Sequence, residues 1–446
     1  MTIRSALFFG IILCTGSAFA DQLSLRDAPA SAPFDQPPFT EQSTLISLHS
    51  LAPHPLTLEQ AVALAVKHAP QVQAGQYKQE AAAHDTDRAG RWPDPQLQFG
   101  VQNLDAQGPG AFNPNADSMT MRFVGISQDI PSLAARAAQR AKASANQDVA
   151  EADTVDAQFL AKRNAATAWV NLWAALRADA LLARLGAQNK IAIDTAQAHL
   201  AGATGTVTDV LAARAVSIEL DNQLEAIHGD EQEAYAGLAR WVGVNTDQAP
   251  LATPPDFAQL PVAENQLLGM PDRQAPLLVW APRISAAEAA LQSAEASKQP
   301  DWNVGFSYGV RAPGLPALTS LQVGMRLPLF ADHRENQDID ARSADLAAVR
   351  AEHEDARRAQ IETVARSLAR WRSLNAQTTR DELSLLPVAH DRATTALASY
   401  RGGGSLDPWL DARRAEINAN LAYANLLAAR ALAWVELAYL MPENTQ

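Results

Sequence analysis

The 446-residue sequence predicts an α+β membrane protein in which two pairs of amphipathic strands interrupt very long helices, arranged as two internal repeats. Three observations carry this expectation. Two glycine-rich breaks, GATGTVTDVLAARA from Gly202 and RGGGSLDPWLDARRA from Arg401, align without a gap at a constant offset of 199. Each half also holds two runs of period-two apolar alternation, the mark of a strand with one apolar and one polar face. The intervening segments are alanine-rich and helical in pattern, and about 70 such residues extend on the order of 100 Å.

Along the chain, residues 1–20 (MTIRSALFFGIILCTGSAFA) read as a signal peptide. Arg4 is basic, Ala6 to Leu13 is apolar, and Ala18-Phe19-Ala20 is a small-x-small cleavage site. Leu13 before Cys14 disfavours lipidation. Residues 21–55 form a Pro-rich N-terminal arm.

Repeat 1 spans 56–249. Thr57 with Gln60 has capping-box spacing ahead of an apolar-periodic helix, and Pro70 interrupts it before a second helical run that reaches Arg91. A strand pair covers about 95–130, with Leu97, Phe99 and Val101 alternating with glutamines and Gly100. A long helix, a tip at 201–208 and a return helix to about Trp241 follow. Residues 250–282 are a Pro-rich linker.

Repeat 2, 283–441, runs the same programme: helix, strand pair at about 302–330, long helix with a kink at Pro387, tip at 401–408 and return helix. Residues 442–446 are a tail. Two copies are too few for a solenoid.

Without residues 1–20 the chain keeps 35 basic residues (36 less Arg4) against 49 acidic ones, a charge of −14, which excludes nucleic acid as a partner. No later segment resembles a transmembrane helix, since charges interrupt the apolar windows. Strands of about ten residues remain able to span a membrane. Four strands cannot close a barrel, and an open edge in lipid leaves backbone groups unpaired. Several chains must then contribute, and three give twelve strands. Trp92 and Trp302 lie where an interfacial aromatic belt belongs. Arg122 shares the apolar face of its strand and belongs near an interface. Two soluble hairpins packed on helices are the competing reading of the strands. The alanine-rich helices favour a tube wall over a globule.

Taken in this order, the Leu-Thr-Leu-Glu-Gln-Ala opening, the Pro-Asp-x-x-x-x-Phe strand starts, the Val-Gly second strands and the two glycine-rich tips resemble the TolC-like outer-membrane efflux proteins. Within that family the heavy-metal branch, with CzcC- and CusC-like components, is the nearest likeness. The resemblance covers Leu56 to Met441. It implies a homotrimer with a 12-stranded β-barrel in outer-membrane lipid and a long α-helical barrel in the periplasm. It implies as partners a periplasmic adaptor (membrane fusion) protein and an inner-membrane RND pump, with no cofactor and no resident metal.

The tips then become docking sites for the adaptor, with Gly202, Gly205, Thr206, Gly402, Gly403, Gly404 and Ser405 forming tight turns. Asp411 matches the family position that rings the closed entrance. Asp209 matches a latch aspartate whose partner here is Tyr400 or Arg401. Pro408 stands where the family carries an aspartate, Asp407 is its nearest replacement, and the second turn is one residue short of the family pattern. An ordinary N-cap is the plain alternative for Asp209 and Asp407.

An enzyme is disfavoured: there is no His-Glu-x-x-His and no phosphate loop, and neither His49/His54 nor His353-Glu-Asp forms a ligand cluster. A channel for drugs or organic solutes, and a periplasmic helical scaffold or adaptor, are the alternatives to metal export.

Overall fold

The computed structural model describes residues 55–243, 250–327 and 331–442. The expected signal peptide, almost all of the N-terminal arm, the end of repeat 1 at 244–249, the end of the second strand pair and most of the tail lie outside the described residues.

Helix α1 (Leu58–His68) starts from the expected capping box. Thr57 Oγ1 accepts from the Gln60 amide, and Gln60 Oε1 accepts from the Thr57 amide, each at 3.1 Å. Pro70 starts α2 (Pro70–Arg88) rather than merely breaking a helix, because the first helical position needs no N–H. That helix stops at Arg88, short of the expected Arg91.

All four strands form one antiparallel sheet in the order β1 (Gln96–Gln102), β2 (Met121–Ile130), β3 (Trp302–Val310), β4 (Leu318–Met325). The two repeats meet at the β2–β3 pairing. Register places Leu97, Ile126, Phe306 and Leu321 in one row, and Phe99, Val124, Tyr308 and Thr319 in the next. Period two then sets a continuous apolar face, and its residues are exposed: Leu97 at 69 %, Phe99 at 81 %, Leu321 at 74 %. The opposite face carries Gln96, Gln98, Ser127, Asn303, Ser307 and Gln322, with glycines between. Arg122 does sit at the end of the apolar face. It pairs with Val101 and Val310, and its guanidinium donates to Asn115 of the adjoining loop at 3.2 Å.

From the opposite end of the sheet runs α3 (Leu133–Ala201), 69 residues long, and α4 (Val207–Val242) returns from its far end. The linker is more structured than its prolines suggest. It holds α5 (Glu264–Gly269), a 3₁₀ turn (Pro271–Arg273) and α6 (Ala275–Leu278), and α7 (Trp280–Ala296) begins inside its expected boundary. Buried Gln274 explains this order: it donates to the Leu267 carbonyl at 2.7 Å and accepts from Gln360 at 2.7 Å.

In repeat 2 the long helix is divided. Helix α8 (Glu335–Arg380) passes into a π-helical turn (Asp381–Leu385), then α9 (Leu386–Arg401), and α10 (Asp407–Ala438) returns. By length and apolarity α10 is able to cross a membrane, contrary to the reading that no later segment is. Its Leu427, Ala431, Trp434, Val435 and Leu437 are buried in the helical core instead.

Bulky side chains are not spread along the helices. One cluster, with Trp169, Leu172, Phe257, Trp371 and Trp434, joins both repeats to the linker. Indole N–H groups bind it to backbone: Trp169 to the Leu56 carbonyl at 3.0 Å, Trp371 to Phe257 at 3.1 Å. A second cluster, with Leu182, Val216, Leu220, Tyr400, Trp409 and Leu410, lies behind the tips.

Candidate functional site

The two tips are built alike. In the first, the amides of Gly202, Ala203 and Thr204 donate to the carbonyls of Ala198, Leu200 and His199. In the second, Gly402, Gly403 and Gly404 donate to Ala398, Tyr400 and Ser399. The turns therefore correspond at an offset of 200, with Gly202 over Gly402, rather than at the 199 of the ungapped alignment.

Positive φ occurs once in each, at Ala203 (55°) and Gly403 (93°). Of the two properties a tight turn asks of its glycines, positive φ and close backbone approach, Gly202, Gly205, Gly402 and Gly404 do not supply the first. Gly202 and Gly402 cap their helices at φ −83° and −80°. Gly404 is needed for space: a Cβ there would lie 2.8 Å from Ser399 Oγ and 2.9 Å from its carbonyl oxygen. Gly205 meets His199 in the same way, at 3.0 Å.

The helices leaving the tips start differently. Thr206 and Asp209 form a capping box: Asp209 Oδ2 accepts from the Thr206 amide at 2.8 Å, and Thr206 Oγ1 from the Asp209 amide at 3.2 Å. Asp209 thus takes the plain N-terminal role within one chain. Helix α10 has no side-chain cap. Asp407 occupies its first turn beside Pro408, where the helix dipole favours an acid and a missing N–H costs nothing.

Tyr400 is the residue that joins the two tips. Its ring lies 4.6 Å from that of His199 on α3 and stacks at 6.5 Å with Trp409 on α10. Burial, and then the Asp209 charge, push its hydroxyl above the ordinary tyrosine range. The hydroxyl makes no hydrogen bond among the described residues, so the expected Asp209–Tyr400 latch is a charge contact only. Arg401 ends α9 at the surface.

An open cleft of about 710 Å³ separates α9 from α10 at this end. Asp407 and Asp411, one turn apart on α10, line it with Ser405 and with Asp391 and Arg392 from α9. The structure thus unites Asp407, Asp411 and Ser405, and separates them from Asp209. Asp391 was missed because a lone acid on a helix reads as a solvated face. No group of three metal-binding side chains occurs among the described residues.

Behind the cleft lies a charged cluster that sequence reasoning also missed. Buried Arg413 donates to Glu416 Oε2 at 2.6 Å and to the Leu185 carbonyl of α3 at 2.7 Å. His390 Nδ1 lies 2.8 Å from Glu416 Oε1. The arginine aligned with Arg214 was the available signal, since only the second copy is followed by a glutamate three residues on.

Trp302 opens β3 on the apolar face, and Trp92 lies just before β1 with the Arg136 guanidinium 5.7 Å from its ring centre. Both are exposed at one end of the sheet. One catalytic pattern that the motif search of the sequence missed, Gly305-Phe306-Ser307-Tyr308-Gly309, fits the Gly-x-Ser-x-Gly spacing of a hydrolase nucleophile elbow. It lies in the middle of β3, where Ser307 pairs with Gly125 and Ser320, so the strand-to-helix turn that chemistry requires is absent.

No protein-family model and no curated protein matches the chain. Solved structures do. VceC, an outer membrane protein of Vibrio cholerae, superposes with a TM-score of 0.70 at 18% identity, covering 86% of this chain and 96% of that one. CusC, described for its transmembrane channel formation, gives 0.71 at 17%, covering 86% and 92%. The MtrE outer membrane channel of Neisseria gonorrhoeae gives 0.68 at 16%, covering 86% and 88%. The chain has the fold of these outer-membrane channels. Its four-stranded sheet and long helical hairpins are the elements that fold requires.

Proposed function

We propose that the chain is one protomer of a TolC-type efflux channel in the Gram-negative outer membrane, extending into the periplasm and acting as a passive conduit. The observation that carries this is the sheet. It has a continuous exposed apolar face, a polar opposite face and, among the described residues, two unpaired edges at β1 and β4. Those edges need partners in lipid. Three copies joined edge to edge supply a 12-stranded barrel, and the helical hairpins of three copies supply the duct below it.

The six tips of such a trimer are the docking sites for a periplasmic adaptor, which links the channel to an inner-membrane RND pump. Asp411 and Asp407 face the entrance and favour cations there. Heavy-metal cations are the cargo this reading takes first, supported by the acidic tip and the charge of −13. Organic solutes are the alternative cargo.

Purified protein should run as a heat-modifiable trimer from the outer-membrane fraction and conduct in a planar bilayer. Asp411→Ala should lower cation selectivity or raise conductance; conductance and ion selectivity both unchanged remove Asp411 from the entrance. A monomer without conductance refutes the channel. Metal accumulation in cells lacking the protein, set against dye accumulation, separates the two cargoes.

A further inference from the structure

We infer that Gly100 sets the bore at the outer end of the lumen, by giving the Phe123 ring a place to lean against the sheet instead of across the opening. The face opposite the apolar one is not polar throughout. Its end nearest the two loops that join the strand pairs carries Met121, Phe123 and Leu318. Phe123 is its one aromatic side chain among the described residues. The glycines of the strands, Gly100, Gly125, Gly305, Gly309 and Gly324, all lie on this face too. Register brackets the ring with two of them: Gly100, Phe123, Gly309 and Leu318 form one row.

The contacts show which way the large side chains lean. A Cβ on Gly100 would lie 3.3 Å from Phe123 Cε1 and 3.5 Å from Cζ, so the outer edge of the ring covers the bare backbone of β1. A Cβ on Gly309 would lie 2.9 Å from Met121 Sδ, so that side chain leans the other way, over β3. Burial agrees. Phe123 and Met121 are half-buried, whereas Phe99 on the other face of the same strand pair is 81 % exposed.

Glycine inside a strand weakens it, so its presence has to be set against what it permits. At Gly100 it lets an aromatic ring cover a glycine of the neighbouring strand, an arrangement that also pins register. A β-branched residue there would bring methyl carbons against the ring. The ring would then have to move to another staggered rotamer, up from the sheet. The consequence for the lumen rests on the channel reading above. In a trimer, three rings leaning on β1 leave the bore open, and three rings turned up from the sheet point into it. Cargo is then limited by size at the outer end and by charge at the tip.

The test uses the full chain with Cys14→Ser and Gln322→Cys, a thiol on the same face and further from the loops than the ring. In outer-membrane vesicles this thiol is labelled by a small thiosulfonate and by a polyethylene-glycol maleimide. Gly100→Val should slow the polymer reagent about tenfold and the small one by less than about twofold, because a narrowed opening excludes by size. Adding Phe123→Ala should restore the polymer rate, and Phe123→Ala alone should leave it unchanged. Equal slowing of both reagents, no slowing, or no rescue overturns the inference. A much faster polymer rate in Phe123→Ala alone places the ring in the bore already and also overturns it. Where Gly100→Val does not assemble, Gly100→Ala reads the same ratio, since its Cβ already meets the ring. The α-proton signals of Gly100 in glycine-labelled protein check the contact itself: the ring should displace them, and Phe123→Leu should return them to the ordinary glycine range. Signals indifferent to Phe123→Leu overturn the inference. A conducting trimer that fails these tests loses the glycine bed and keeps the channel. A ring over Gly100 in a protein without conductance removes the channel, and the bore with it.

Discussion

Replacing Arg413 by methionine tests whether the tip is held by its buried charges as well as by its aromatic layer. The guanidinium is 5 % exposed and the Glu416 carboxylate 4 %. Methionine keeps much of the volume and deletes the bonds to Glu416 Oε2 and to the Leu185 carbonyl. Glu416 is then left buried beside His390 without its strongest counter-charge. Breaking a buried pair from one side costs about 3–5 kcal/mol, because the remaining ion has lost both water and partner. At about 1.4 kcal/mol per decade, that is roughly two to three and a half decades in the local opening equilibrium.

Amide exchange of peptides from 386–421 in the assembled protein reads this directly, and peptides around Trp169 and Trp434 serve as the internal control. Arg413→Met should speed exchange at the tip by that factor and leave the control unchanged. Arg413→Met with Glu416→Leu removes both charges and should recover most of the loss, since an apolar replacement of a buried pair is often neutral. Less than about a fivefold change in the single variant, equivalent to about 1 kcal/mol, refutes the reasoning. So does a double variant no better than the single.

Three further outcomes are expected. Phe99→Arg places a charge in the centre of the apolar sheet face at a cost of about 2–4 kcal/mol if that face meets lipid; the trimer band should weaken, while Gln98→Arg on the opposite face is tolerated, and equal tolerance at both refutes the facing. Tyr400→Phe removes a buried hydroxyl that has no hydrogen-bond partner, so tip exchange should be unchanged or slower, by up to about 1 kcal/mol; faster exchange would show that the hydroxyl holds the tip. Asp156 is half-buried, and burial first and the Asp153 charge second raise its carboxyl above the ordinary value of 3.8, against Arg283 and Arg163. A raised folded pKa makes the folded state less stable above that value, and the penalty disappears as pH falls towards 3.8. Asp156→Asn should therefore raise the melting temperature at neutral pH and lose its advantage in acid; an equal gain at both refutes the assignment.

Much of the fold was legible because its signals are local. Alternation over Leu97, Phe99 and Val101 sets which face a strand shows, whatever packs there. The spacing from Thr57 to Gln60 sets a helix start within one turn. The linker was not legible in this way. Its short helices depend on Gln274 reaching Gln360, a contact across 86 positions that no local pattern encodes. The charges behind the tip were hidden for a related reason. Arg413 and Glu416 have the spacing of an exposed helical ion pair, and only the arrival of α3 and His390 buries them.

The tips show how a correct repeat can conceal a difference. Val124 and Val323, before the long helices, stand 199 apart; so do Val210 and Trp409, after the turns. Between them Gly202 and Gly402 stand 200 apart. One residue is added in the second arm and one is removed from the second turn, and the two changes cancel in an ungapped alignment. The cancellation is what physics requires if both hairpins must present their return helices in the same register to a common core. The added residue turns every side chain below it by about 100° unless a wider turn absorbs it, and the π-helical turn at Asp381–Leu385 is that wider turn. The shortened second tip then restores the register of α10, so Leu437 meets the core where Leu238 does. The missing residue at the tip and the extra one in the helix are a single compensated change.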